Sequence, residues 1–124
     1  MEGEDRKWFG QLTLELLTYY HALGMYLQDL PIPISLPRME NRAHMEIPYR
    51  GALDAYKAIK DMPGLQKEAK GLLVDALFEW LVACDQGFAI HGSGHDGWRL
   101  EAMNRALERL HAALLTYEMN FGKG

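Results

Sequence analysis

The chain is poor in the residues that most often carry chemistry. It has one cysteine, Cys84, and two serines, Ser35 and Ser93. A single thiol excludes an intrachain disulfide, and its apolar neighbours mark it as a small core residue rather than an activated nucleophile. Such usage fits a reducing compartment. Neither sign of charge dominates: 13 Lys and Arg stand against 17 Asp and Glu, for a net charge of −4. The halves share it evenly, seven basic to nine acidic over residues 1–62 and six to eight over 63–124. No acidic tail or basic arm emerges, so generic phosphate-backbone binding has no footprint in the totals. The longest run without a formal charge, Leu16 to Gln28, is too short to span a bilayer. The opening Met-Glu-Gly-Glu-Asp is acidic where a secretory signal is basic and then apolar. A soluble, cytoplasmic protein without membrane contact is expected.

What is present is helical periodicity. From Trp98 to Phe121, Leu100, Met103, Leu107, Leu110, Leu114, Tyr117 and Phe121 recur at steps of three and four, one face of a helix. Asp96 stands ahead of it as an N-cap candidate and Gly122 behind it as a stop. A first helix is predicted from about Glu4 to Leu30, with Trp8, Phe9, Leu12, Leu16, Tyr19, Tyr20, Leu23, Tyr26, Leu27 and Leu30 on its broad face and Pro31 ending it. Prolines 31, 33, 37 and 48 exclude continuous helix over 31–48, although Arg38 to Met45 could form a short one. Ile32, Ile34, Leu36 and Ile47 alternate within this segment and predict a strap docked on the bundle. A shorter helix is expected over Arg50 to Met62, a turn at Pro63-Gly64, and a long helix over Leu65 to Gln86. Gly87-Phe88 reads as the stop of that helix, and residues 87–97 as a glycine-rich joint. The expectation is one all-α domain over 1–124: a compact helical bundle of three long helices plus one or two short ones, with a long proline-rich crossover after the first.

Three groups of residues are candidates for function. His91, His95 and Asp96 offer nitrogen and oxygen donors to a divalent metal, and the same loop leads into a helix N-terminus beside Arg99, where an anion could bind. Arg38, Arg42, Arg50, Lys57 and Lys60 form the best local basic patch, suited to phosphate contacts if the chain is a small subunit on nucleic acid. The third group is a pair of second apolar stripes. Leu14, Leu17, His21 and Met25 lie off the core face of the first helix, and His111, Leu115 and Met119 off that of the last.

Other patterns fall short of a site. Ser93 between two histidines and an aspartate lacks the rigid frame a triad requires. Glu108-x-x-His111 is half of the repeated motif that di-iron bundles need, with no second copy. Arg105 and His111 have an R-x5-H spacing that resembles the signature of HEPN helical ribonucleases over those seven residues. On an ideal helix the two lie about 240° apart, too far to share one phosphate. No cofactor is expected. The surplus of apolar helix surface favours a non-enzymatic helical protein-interaction module, an adaptor, regulator or small subunit, with a homodimer as the simplest assembly.

Overall fold

The periodic segments assemble into four helices. The computed structural model describes residues 3–39, 45–93 and 97–122, and among these there is no strand. The helices are α1 (Gly3–Gln28), α2 (Glu46–Lys60), α3 (Lys67–Ser93) and α4 (Gly97–Phe121). Among the described residues no helix is long and apolar enough to cross a membrane.

Side-chain pairs fix the directions. Tyr19 bonds His111 and Tyr26 bonds Glu118, each 92 residues apart, so α1 and α4 run parallel. Trp80 reaches Leu16, Arg109 reaches Glu79, and Tyr49 and Tyr56 meet Phe88 and Phe78. These pairs set α3 antiparallel to α1, α4 and α2. Helix α3 is therefore central, touching all three others, while α1 also packs on α4.

The core follows the apolar stripes. Leu12, Leu16, Leu23 and Leu27 from α1 meet Leu73, Leu77, Trp80 and Cys84 from α3 and Leu100, Met103, Leu107 and Leu110 from α4. Trp80 is fully buried, its ring 5.2 Å from that of Tyr20, and its indole N–H donates to the Leu16 carbonyl at 2.8 Å. That bond satisfies the one polar atom of the largest core side chain.

Beyond Leu30 the chain turns back and runs down α1. The Ile34 amide donates to the Leu27 carbonyl, Leu36 reaches Gly24, and the Tyr20 hydroxyl donates to the Pro37 carbonyl. On its other side Pro37 presses on Gly51 of α2, where an added Cβ would lie 2.6 Å from the proline Cγ. Residues 31–39 thereby tie α2 to α1. Ile34 and Leu36 pack on the core, but Ile32 and Ile47 are exposed at 53% and 54%, so only half of the expected strap is docked.

Several boundaries differ from the pattern-based ones. Helix α1 stops at Gln28 rather than Leu30. Helix α2 begins at Glu46 and takes Pro48 into its first turn, where a missing amide costs no helical bond. Helix α3 passes through Gly87 to Ser93, because Ile90 is buried and Phe88 meets Tyr49 at 5.7 Å. Tertiary contacts there outweigh the glycine stop. Arg38 and Met39 are not helical, and the rest of the short helix expected to Met45 falls on 40–44, outside the described residues. The Asp96 cap also lies outside them. The Pro63-Gly64 turn forms as expected, with Gly64 at φ 79°.

Candidate protein-interaction face

The second stripes lie on α1 and α4, two helices that pack in parallel. Leu14 and Met25 of α1 are 53% and 63% exposed, and Leu115 and Met119 of α4 are 51% and 77% exposed. His21 and His111 are exposed too, and Leu17 is half-buried. Thr18 and Thr116 among them donate their hydroxyls to the carbonyls of Leu14 and Ala112 in their own helices, which lowers the demand of this surface for water. Between Leu16 and Gln28, α1 carries no formal charge.

The seam between the two helices is built from tyrosines. The Tyr19 hydroxyl and His111 Nδ1 are hydrogen-bonded at 2.9 Å, with the rings edge to face. One heptad on, the Tyr26 hydroxyl donates to Glu118 Oε2 at 2.6 Å, and its ring stands 5.1 Å from that of Tyr117. The bond to Glu118, with burial and the carboxylate's charge, pushes the Tyr26 hydroxyl up to about 12. Burial, then the charge of Glu15, raises Tyr19 as well. Sequence reasoning missed this seam, since no local pattern links positions 92 residues apart.

On the far side of α1, the returning segment leaves a groove of about 770 Å³ lined by Leu17, His21, Met25, Leu36, Arg38 and Met39. One of the expected basic residues is thus brought beside the α1 stripe. Arg50 and Lys57 are exposed on α2, Lys60 lies 4.2 Å over the Tyr56 ring, and Arg42 is outside the described residues.

Of the candidate metal ligands, His91 is exposed in the last turn of α3, and His95 and Asp96 lie outside the described residues. Among the described residues no group of three His, Cys, Asp or Glu could hold a metal ion. Arg105 pairs with Glu101, whereas His111 faces Tyr19, so the R-x5-H pair is divided between two surroundings. Glu108 accepts from Asn104. Cys84 is buried, and burial, followed by the charge of Asp85, pushes its thiol up to about 12, which suits a packing role.

Three other exposed aromatic side chains are partly covered by neighbours. Phe78 and Phe88 take ring contacts from Tyr56 and Tyr49, and the Trp98 ring lies under the Arg99 guanidinium at 4.5 Å. Among the described residues Met25, Leu115 and Met119 stay more than half exposed. Comparison with family models, with curated proteins and with solved structures finds no match to this chain.

Proposed function

We propose that the chain is a non-enzymatic helical protein-interaction module, an adaptor, regulator or small subunit, acting through the outer face of α1 and α4. The observation that carries this reading is the exposure of Leu14, Met25, Leu115 and Met119 on two adjacent parallel helices. Covering each of these half-exposed or more exposed side chains contributes roughly 1–2 kcal/mol. Methionine and histidine at the edges suit adaptable packing. A second copy of the chain is the simplest partner.

Light scattering over a concentration series, paired with purification of tagged chain from its host, tests the reading with the Met25→Asp/Leu115→Asp double variant as control. Both positions are exposed in the monomer, so the variant keeps its helical circular dichroism and a cooperative melt. The wild type forms a dimer or retains a stoichiometric partner, and the variant loses it. A wild type that is monomeric at every concentration and retains no protein that the variant lacks overturns the proposal.

A further inference from the structure

Among the described residues the two most exposed large apolar side chains are both methionines, Met119 and Met25, one on each helix of the proposed face. The other described methionines are sheltered: Met62 and Met103 are buried, and Met39 and Met45 pack half-buried against the core. Tyr26 of α1 is bonded to Glu118 of α4, so their neighbours Met25 and Met119 stand at nearly the same level of the two parallel helices. Leu14 and Leu115 give this surface apolar area without chemistry. A thioether gives apolar area and also a sulfur lone pair, which takes oxygen without first losing a proton. The chain's one thiol does not compete, because Cys84 is buried, and burial, then the charge of Asp85, keeps it protonated.

We propose that Met25 and Met119 form a reversible oxidation site that controls docking at the α1/α4 face, with hydrogen peroxide as the oxidant. The site has this role only if that face binds a partner, as proposed above. Each sulfur gives its lone pair to one oxygen of the peroxide: an S–O bond forms, the O–O bond breaks, and the other oxygen leaves as water with both peroxide protons. Sulfur loses two electrons and the peroxide gains them. A soft apolar group thereby becomes a polar one that accepts hydrogen bonds. Against an apolar partner surface with no donor to meet it, each sulfoxide weakens docking at least about tenfold. A dithiol reductant reverses the step: the sulfoxide oxygen leaves as water and the two thiols end as a disulfide. Docking in turn covers the sulfurs, so the occupied face is oxidised more slowly than the free one.

Peroxide treatment of the full chain tests the site, read by peptide mass spectrometry and by light scattering. Met25 and Met119 take up oxygen at least about tenfold faster than Met62 and Met103, as their exposure dictates. The oxidised chain keeps its helical circular dichroism, while its dimer, or its complex with the partner retained from its host, is weakened at least about tenfold. Methionine sulfoxide reductase supplied with a dithiol restores the association. The Met25→Leu/Met119→Leu variant, read before and after peroxide against its own untreated sample, shows no such loss. Equal oxidation of the buried methionines, an assembly that persists with Met25 and Met119 fully converted, an equal loss in the leucine variant, or a loss that the reductase does not reverse overturns the proposal. The interaction reading survives each of these results if the Met25→Asp/Leu115→Asp pair still abolishes association. A wild type that never associates overturns both.

Discussion

Replacing Trp80 with phenylalanine removes one hydrogen bond and part of one ring from the place where α1 and α3 cross. The Trp80 side chain has no exposure, and its N–H donates to a carbonyl of α1 across 64 residues of sequence. Loss of that bond costs about 1 kcal/mol, and no buried donor is left behind because the indole nitrogen goes with it. The smaller ring leaves a void of roughly 40 Å³, which at about 24 cal/mol per Å³ adds about 1 kcal/mol. The lost transfer of the removed carbons brings the total to roughly 2–3 kcal/mol, and Trp80→Ala, which also removes the contact with Tyr20, costs about 4–5 kcal/mol. Urea unfolding followed by circular dichroism measures both, with the midpoint falling and the slope unchanged. Fluorescence gives a second reading: Trp98 is exposed and Trp8 half-buried, so the blue-shifted emission of the native state is lost with Trp80. A Trp80→Phe cost below about 0.5 kcal/mol would refute the placement of this indole at the centre of the bundle, since surface changes stay within that range.

Two further outcomes follow from particular contacts. Gly51→Ala drives a methyl into Pro37 and destabilises by roughly 1–3 kcal/mol, whereas Gly71→Ala, in open space on α3, stabilises by about 0.5–1 kcal/mol. Thermal melts of the two variants should move in opposite directions. The hydroxyls of Tyr20 and Tyr26 are pushed up to about 12, chiefly by burial in the first and by the bond to Glu118 in the second, against an ordinary value of 10.0. A raised tyrosine favours the protonated native state, so this contribution is complete below about pH 10 and is lost as pH rises towards 12. Denaturant midpoints measured between pH 8 and 12 should fall across that window, and less steeply in Tyr26→Phe.

The helices were legible wherever one face of a repeat met one face of a neighbour. Leu100, Met103, Leu107, Leu110, Leu114 and Tyr117 are all buried because a period near 3.6 leaves that stripe no other use. Legibility failed where distant residues overrule local ones. Gly87 resembles a stop, yet Ile90 and Phe88 hold the following turn of α3 against its neighbours. Pro48 resembles the end of a crossover, yet it occupies the one turn of α2 that tolerates it. Ile32 and Ile47 share an alternating pattern with Ile34 and Leu36 but face solvent, whereas residues 34–37 are received by Leu27, Gln28, Gly24, Tyr20 and Gly51.

The candidate face shows the same division between what periodicity encodes and what only assembly creates. Leu14, Met25, Leu115 and Met119 were identifiable singly, as apolar residues off the core side of their own helices. That the two stripes lie on neighbouring helices of the same direction depends on how α1 packs on α4, and hence on the route taken by residues 31–39. A short hairpin after α1 would have made the next helix antiparallel; the return of the chain along α1 lets α2 start at the same end as α1. With α3 then antiparallel and α4 reversing again, the C-terminal ends of α1 and α4 are brought side by side. Neither Tyr26 nor Glu118 is notable alone, and their hydrogen bond exists because the helices that carry them run side by side in the same direction. Direction is set by the segment between the first two helices: it orders the bundle and so decides which side chains meet across the α1/α4 seam, as Tyr26 meets Glu118.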